Sequence, residues 1–530
     1  MINPEARTDS PDAFTGVPAA RLPLRVSVAT LFPYVVTLLF FGLTLWGILH
    51  HEMWRDELQA WLVARDSQSL LDLIHNVRYE RSPALWQICL RLLTYFTINP
   101  IAMQLFHLGV ATASIFLFVK YSPFTRLQQT LFSFGYFTFY EYAVISRSYA
   151  FGVLLVIVFC VFVTRTRRNY LLIALTLALL ANTSVYGLLM APAFVLYLAA
   201  ELLLEYQRTR SLPSKKTLAL ASFILAASFA VSVFQLVPPS DYSVPRFVPA
   251  VRPEKESMVG TFLPIYSSYV AIPNVFEVHN WGSNIVDALP LLLARRVSIF
   301  LSLLLLVSAI LLFLRRPSVL LAFVSGTGVL LWFNANIFQG AIRHQGHFFI
   351  LMIACFWLFA ASTGSTLLES RRSWWRYQVV FLTTVLFAQL VGGLFSRWSE
   401  YRHPFSETRH AAEFLAEHLT PASVLAGTSF MVSPMTAYLN VKCYMVDRQT
   451  FGTFMVWDNK THAYSNDENE KLQTTAKLIN GTTTEVLFVS EAPLQQHPAG
   501  LEVTELATFN QSLNSDQFYI YRVRRSLAGH

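Results

Sequence analysis

Long apolar runs separated by short polar connections dominate this chain. The first run, from about Ser27 to Leu49, is long enough to cross a membrane, because a spanning helix needs about 20 apolar residues. Later runs lie at about residues 100–119, 127–142, 149–164, 170–185, 187–205, 217–237, 297–314, 318–337, 348–366 and 377–395. The pattern predicts an all-α polytopic membrane protein with about eleven spans.

The N-terminal end is predicted to contain a tail and an uncleaved first span. The first run is too long for the core of a signal peptide and lacks a small-residue cleavage site. Residues 1–26 before it are polar, rich in proline and carry charges of both signs, which predicts a disordered cytoplasmic tail.

The connections between the runs predict the orientation of the chain. Five of them are short and basic: KYSPFTR (120–126), RTRRN (165–169), EYQRTRSLPSKK (205–216), RRP (315–317) and ESRRSWWR (369–376). Cytoplasmic connections carry an excess of lysine and arginine, so these belong in the cytoplasm. The remaining connections, at 50–99, 141–148, 238–296 and 338–347, then face the other side.

This orientation decides how the apolar piece 83–97 is interpreted. If 120–126 is cytoplasmic, the run at 100–119 starts outside, and residues 83–97 cannot cross the membrane. The piece carries Gln87 and Arg91, so we predict an amphipathic helix at the outer interface within a first outer loop of residues 50–99.

Residues 397–530 differ in character from the rest of the chain. Stretches of period two (SVLAG, EVLFVS and QFYIYRV) alternate with helical stretches (ETRHAAEFLAEHL and NEKLQTTAKLI). We predict a small soluble α/β domain on the non-cytoplasmic side.

Composition supports this picture and removes other classes of protein. The chain is 54% hydrophobic and 14% charged, whereas a soluble domain carries about 25% charged residues. The net charge of +8 comes from basic connections, which indicates membrane orientation rather than a nucleic-acid partner. Four dispersed cysteines show neither a disulfide framework nor metal-ligand spacing.

An acidic pair, Asp56 and Glu57, follows the first span closely. Residues 56–66 have the pattern of an interfacial helix, on which adjacent side chains point about 100° apart, so the two carboxylates cannot share one role. They are either acids stabilised by the helix dipole or a general base held at the membrane surface.

Two further segments carry paired charges. In RYERSPALW, Glu80 and Arg81 flank a helix start at Pro83 that Ser82 could cap, and they form either an ion pair or part of a site. In YEYAVISRSYAFG, Glu141 and Arg147 either pair with each other, or Arg147 holds a lipid phosphate.

The segment NIFQGAIRHQGHFF gathers Arg343, His344 and His347 at a helix end. Two histidines are too few ligands for a metal site, so a cationic cluster that binds an anion is the better interpretation, against a plain interfacial turn. In ANTSVYG, the small polar residues 182–184 are more typical of helix–helix contacts than of sugar binding.

These segments all fall on the same predicted outer face. An acid near the surface and cations at headgroup level suit transfer from a lipid phosphate, with a base that activates the acceptor and cations that stabilise the leaving phosphate. A transporter would carry ionisable groups nearer the membrane midplane and often shows inverted repeats, neither of which is clear here.

The motifs WRDELQAWLVARD, YERSPALW, SRSYAFGVLL, TSVYGLLMAPA and RHQGHFFIL resemble those of the C-type glycosyltransferases (GT-C). The similarity is to the group of protein O-mannosyltransferases and lipid A aminoarabinose transferases, and it covers about residues 30–365. It implies inverting sugar transfer from a polyprenyl-phosphate donor at the non-cytoplasmic face, with Asp56 as the base. Many relatives have a His-Pro pair where this chain has Ser82-Pro83.

The sequence therefore predicts a glycosyltransferase of the cell inner membrane whose acceptor is a lipid, a glycan or a protein. The candidate residues are Asp56 and Glu57 for catalysis, and Glu80, Arg81, Glu141, Arg147, Tyr149, Arg343, His344 and His347 for substrate binding. No metal site is predicted, although a divalent cation is compatible with the chemistry. A flippase or exporter of lipid-linked saccharides and a non-catalytic membrane scaffold are the alternatives.

Overall fold

The structure is a computed structural model of the full chain. It describes residues 28–243, 262–363, 372–460, 468–480, 482–495 and 498–526. The predicted tail of residues 1–26 and the middle of the connection 238–296 lie outside these described residues.

Fifteen helices form the larger part of the described chain. They are α1 Val28–His50, α2 Arg55–Asp66, α3 Leu70–Tyr79, α4 Leu85–Thr94, α5 Ile101–Tyr121, α6 Arg126–Ser133, α7 Tyr149–Val163, α8 Tyr170–Ala181, α9 Val185–Thr209, α10 Lys215–Leu236, α11 Leu263–Tyr269, α12 Leu291–Phe313, α13 Pro317–Asn336, α14 Ile342–Thr363 and α15 Arg372–Arg402. A π-helix at Tyr136–Glu141 and a 3₁₀ turn at Ile285–Ala288 complete this part.

Eight helices within the described ranges are long and apolar enough to cross a membrane. These are α1, α5, α9, α10, α12, α13, α14 and α15. Their number and length are compatible with a multi-pass membrane protein, and the helical character predicted for this part of the chain is confirmed. The predicted number of about eleven spans is not matched by helices of full length.

The run predicted at 127–142 is not one helix. A capping box formed by Thr125 and Gln128 starts α6, which ends at Ser133 after only eight residues. Gly135 then adopts an extended conformation, and the π-helix follows it. Each residue of the π-helix is buried, so the packing of neighbouring helices overrides the uniform apolar pattern of this run.

The first loop folds as three short helices, α2, α3 and α4. The predicted helix at 83–97 is observed as α4, but it begins at Leu85 with Ala84 as its N-cap, so Ser82 does not cap it. At ten residues, α4 is too short to cross a membrane. It buries Trp86 and Leu90 against α2 and exposes Leu92, as expected of an amphipathic helix, and Tyr95 and Phe96 directly after it are exposed as well.

The C-terminal part contains a mixed six-stranded sheet, as the predicted α/β domain requires. Its strands are β1 Ser423–Gly427, β2 Cys443–Met445, β3 Thr450–Gly452, β4 Glu485–Ser490, β5 Leu501–Phe509 and β6 Phe518–Arg525. Their order is β3-β2-β1-β4-β6-β5, with β1 parallel to both β2 and β4. The helices of the domain are α16 Thr408–His418, α17 Ser429–Leu439 and α18 Glu468–Ala476.

The predicted domain boundary at residue 397 falls inside a helix. The last long helix, α15, continues to Arg402 and spans 31 residues, so the domain begins only after it. A hydrophobic pattern marks only the apolar stretch of a helix, whereas its hydrogen-bonded turns extend into the polar sequence beyond.

The C-terminal domain packs directly on the first loop. Helix α17 contacts α2, and the side-chain amide of Gln59 donates to the carbonyl of Met455 over 2.8 Å while it accepts from the Met455 amide over 3.0 Å. Arg409 donates to the His51 carbonyl over 3.4 Å. The domain therefore holds α2, the helix that carries the acidic pair.

Candidate active site

Asp56 lies at the start of α2 beside a group of arginines. Its Oδ2 is 3.0 Å from Nη1 of Arg147, and its Oδ1 is 3.5 Å from Nε of Arg55. The Asp56 side chain is 30% exposed and that of Arg147 is 23% exposed, so both can be reached from outside the protein. We refer to Asp56 with Arg55, Arg147 and Arg343 as the arginine cluster.

The arginines control the charge of Asp56. Burial alone would raise the pKa of this carboxyl, but the charges of Arg147, Arg55 and Arg343 outweigh burial and hold the pKa below its ordinary value. Counted by its own four residues, the cluster has three cations and one anion, and this balance favours an additional anion. The carboxyls of Asp516 and Glu80 interact with Arg55 and Arg147 and offset part of the positive charge.

Two tryptophans hold Arg343 within the cluster. Its guanidinium lies 5.2 Å from the ring centroid of Trp54 and 4.8 Å from that of Trp281. Trp281 is in turn fixed by Glu141, which accepts hydrogen bonds from the indole N–H of Trp281 over 3.0 Å and from the Tyr136 hydroxyl over 2.9 Å. Glu141 thus supports Arg343 through Trp281, while Arg147 pairs with Asp56 rather than with Glu141.

Glu57 points away from the cluster and is fully buried. Its Oε2 accepts from the Trp54 amide over 3.1 Å and is 3.0 Å from Nε2 of His51, and its Oε1 accepts from the Ser146 amide over 2.6 Å. Glu57 therefore joins the start of α2 to the residue before Arg147. This geometry gives it a positioning role and leaves Asp56 as the accessible carboxylate.

His51 bridges Glu57 to the last long helix. Its Nδ1 is 2.5 Å from Oε1 of Glu400 in α15, and its side chain is fully buried. Burial acts to lower the pKa of His51, but the charges of Glu57 and Glu400 outweigh it and raise the pKa to about 10. The imidazolium neutralises two carboxylates that would otherwise repel each other.

Aromatic and histidine rings form the wall next to the cluster. The Tyr186 ring stacks on His347, with centroids 4.6 Å apart, and on His344 at 5.4 Å, while Tyr149 meets both histidines edge-on. Among the described atoms, the Tyr186 hydroxyl and Nε2 of His347 are buried without a hydrogen-bond partner. A substrate hydroxyl could satisfy either atom.

The hydrogen bonds of the two histidines indicate their tautomers. Nδ1 of His344 accepts from the Ala341 amide over 2.8 Å, so a neutral ring carries its proton on Nε2 and offers a donor. Nδ1 of His347 donates to the His344 carbonyl over 2.8 Å, which leaves its Nε2 as an acceptor. The close approach of this segment requires Gly346, because a Cβ there would overlap the side chains of Phe137 and Tyr142.

Glu80 and Arg81 are adjacent in the chain but lie in different environments. Glu80 accepts from Gln59 over 3.1 Å and from Gln87 over 3.4 Å, and burial raises its pKa. Arg81 is exposed and has a left-handed backbone with φ of +50°. Glu80 thus lies near Arg147 and the cluster, whereas the predicted ion pair with Arg81 is not observed.

The polar residues 182–184 connect helices. The Asn182 amide donates to the Ala178 carbonyl over 2.9 Å and to the Ser228 hydroxyl of α10 over 2.7 Å. The Ser184 hydroxyl caps α9 by accepting from the Gly187 amide. These contacts agree with the helix–helix role favoured for this segment.

Several residues of the site were not singled out from the sequence. Arg55 adjoins Asp56 in the chain, and Tyr186 belongs to one of the recognised motifs, so both had a local signal. Trp281 and Glu400 had none, because they reach the site from distant parts of the chain. The C-terminal domain also contributes, since the Arg55 guanidinium carbon lies 3.2 Å from the ring centroid of Phe430.

Comparisons with known proteins give no family assignment. No family model and no curated protein matches this chain. Within the described residues, no group of three or more His, Cys, Asp or Glu side chains is placed to hold a metal ion. The function is therefore inferred from the geometry and charge of the arginine cluster.

Proposed function

We propose that this chain is an integral-membrane glycosyltransferase that moves a sugar from a polyprenyl-phosphate donor to an acceptor hydroxyl, with inversion, at the non-cytoplasmic face. The observation that carries the proposal is the accessible Asp56 carboxylate, paired with Arg147 and faced by two more arginines. The reaction needs a general base for the acceptor hydroxyl and a site that binds the leaving phosphate. The cluster offers both at one position.

Each residue of the cluster has a role in this reaction. Asp56 removes the proton from the acceptor hydroxyl, and the acceptor oxygen forms a bond to the anomeric carbon. The bond between that carbon and the phosphate oxygen breaks, and the phosphate leaves with the bonding electrons. Arg147, Arg55 and Arg343 stabilise the negative charge that develops on it.

The charge balance provides a means of activating the base. In the free site the arginines depress the pKa of Asp56, which makes it a weak base. A bound donor phosphate would neutralise part of that positive charge, and the proton affinity of Asp56 would rise. Asp56 would then become an effective base when the donor is present.

The rings beside the cluster suit the sugar. Nε2–H of His344 is a donor in the neutral ring, while Nε2 of His347 and the Tyr186 hydroxyl are buried polar atoms in need of partners. We assign these atoms to sugar hydroxyls, because a polar group that a ligand must satisfy contributes strongly to specificity.

A GT-C-like arrangement of eleven crossing segments fits the proposal. The eight long helices count as crossings, together with the shorter α7 and α8 and with α6 plus its π-helix. This count places Asp56, Arg147 and Arg343 at the same end of the bundle. The basic connections lie at the other end, so the positive-inside rule puts the cluster on the non-cytoplasmic side.

The proposal is tested by incubating purified full-length protein in detergent with a panel of undecaprenyl-phosphate hexoses and pentoses, together with lipid, glycan and protein acceptors. A transferase should release undecaprenyl phosphate in proportion to the glycosylated acceptor, even though detergent leaves no compartments. A flippase or exporter should bind the same lipids and leave them intact. Binding without consumption across the panel would overturn the proposal in favour of an exporter.

Replacing Arg147 by glutamine should change the pH dependence of transfer. Arg147 is the strongest of the charges that lower the pKa of Asp56, so without it the pKa rises and the acid limb of kcat/KM moves to higher pH. The donor KM should rise as well, because one phosphate contact is lost. Steady-state kinetics between pH 4 and 8 would measure both effects.

Arg126→Gln is the matched control for this experiment, since it removes an arginine at the far end of the bundle. An acid limb at the same pH in wild type, Arg147→Gln and Arg126→Gln would contradict the assignment of Arg147.

A further inference from the structure

A cavity lies at the opposite ends of the helices that build the candidate active site. Helices α7, α9 and α14 begin next to the arginine cluster, and their last turns or following residues line a cavity of about 980 Å³. Along α14, the rise from Arg343 to Ala361 at the cavity is about 27 Å at 1.5 Å per residue. The cavity is therefore about one membrane thickness away from Asp56 and separate from its site.

Positive charge converges on this cavity from three separate connections. The lining contains two glutamates, Glu201 and Glu205, and five arginines: Arg165, Arg168, Arg208, Arg315 and Arg316. Membrane orientation explains why these connections are basic, but it does not require that they meet around one space. The excess of cations makes the cavity a site for an anion.

The walls of the cavity are already in place. Glu201 accepts a hydrogen bond from the Ser318 hydroxyl over 2.6 Å, which links α9 to the start of α13. The same carboxylate lies 3.6 Å from Nη2 of Arg168, whose Nε donates to the Val163 carbonyl over 2.9 Å. These bonds fix Arg168 and two walls before any ligand arrives, which lowers the entropic cost of binding.

Apolar side chains form part of the cavity lining and also lie beside it. Val163 and Tyr197 are buried in its lining. Nearby, Leu203 of α9 is 57% exposed, and Leu314, directly after α12, is 51% exposed. The start of α13, with Pro317 at its first turn and no side-chain cap from Arg316, adds the positive end of a helix dipole. The anionic headgroup of a lipid would thus contact the arginines of the cavity, while its acyl chain would contact the leucine side chains beside it.

We infer that this cavity binds the phosphate-bearing headgroup of an anionic membrane lipid. A soluble phosphate ester offers the same charge, but it makes no use of the exposed leucines, which favour a lipid. The volume lies within the range of about 300–1,000 Å³ that is typical of small-molecule sites. The inference goes beyond the proposed sugar transfer and does not depend on it.

The test measures binding of short-chain phosphatidylglycerol to the full-length protein in detergent by native mass spectrometry. Phosphatidylglycerol should bind more tightly than phosphatidylcholine of equal chain length. The double variant Arg208→Gln/Arg316→Gln should weaken binding by about 30-fold, which corresponds to about 1 kcal/mol for each cation removed.

The variant Lys120→Gln/Arg126→Gln is the matched control. It removes two exposed cations at the same end of the bundle but outside the cavity, and it should leave affinity within about twofold of wild type. An equal loss in both variants, or none in either, would overturn the inference. Inorganic phosphate that competes at the same concentration as the lipid would show instead that the cavity takes a soluble phosphate ester.

Discussion

Replacing Asp56 by asparagine should slow sugar transfer by about 10²- to 10⁴-fold, the usual contribution of a general base. The amide has nearly the same shape, and its carbonyl can still accept from Arg147, so donor binding should change much less than the rate. Single-turnover measurements with saturating donor would isolate the chemical step from binding.

Asp66→Asn is the matched control for this prediction. Asp66 lies on the same helix, α2, where it pairs with Arg65 over 2.7 Å, and it is outside the arginine cluster. This variant should keep wild-type turnover. A correctly folded Asp56→Asn protein with near-normal turnover would remove the base from the proposed mechanism.

Replacing His51 by glutamine should lower the free energy of unfolding by about 3–5 kcal/mol, because it leaves two buried carboxylates without their cation. Glu57 and Glu400 are each bound to one ring nitrogen of His51, and all three side chains are almost fully buried. Thermal unfolding in detergent would measure the loss. His75→Gln, at an exposed histidine of α3, should have little effect.

The same histidine makes stability depend on pH in a defined direction. Its pKa is raised from 6.5 to about 10, so its contribution is complete below pH 6.5 and is lost as the pH rises through about 10. The stability of the wild type should therefore fall over this range relative to His51→Gln. Glu400→Gln should shift the fall to lower pH, because one of the two charges that raise the pKa is gone.

An unchanged difference between wild type and His51→Gln from pH 6.5 to 10 would show that His51 is neutral in the folded protein. If His51→Gln does not fold, the Glu400→Gln variant still tests the charge of His51, because His51 keeps Glu57 as a partner in that variant. The pH effect separates an electrostatic role of His51 from simple packing.

Asp56 and Glu57 have different roles, and the sequence predicts only part of this difference. The angle between adjacent helical residues already required that the two carboxylates act differently. Which of them faces the arginines depends on contacts with Ser146 and Arg147, about ninety residues away along the chain. No local pattern contains that information.

The structure of the run at 127–142 was likewise only partly predictable from its sequence. Its composition is that of a spanning helix, whereas the structure has a short helix, α6, that begins at a capping box formed by Thr125 and Gln128. The run breaks at Gly135 because the surrounding helices impose a buried π-helix, an outcome of packing that apolar periodicity does not encode.

Local sequence patterns were enough to predict the long apolar helices, the strands and helices identified in the C-terminal domain, and a set of charged candidate residues. These follow from local hydrophobicity and periodicity, which act over a few turns of chain. The packing of the helices brings Asp56 to Arg147 and Arg343, places Trp281 against Arg343, and lets His51 join Glu57 to Glu400. Those contacts join residues that are up to 349 positions apart, and their geometry depends on how the helices pack.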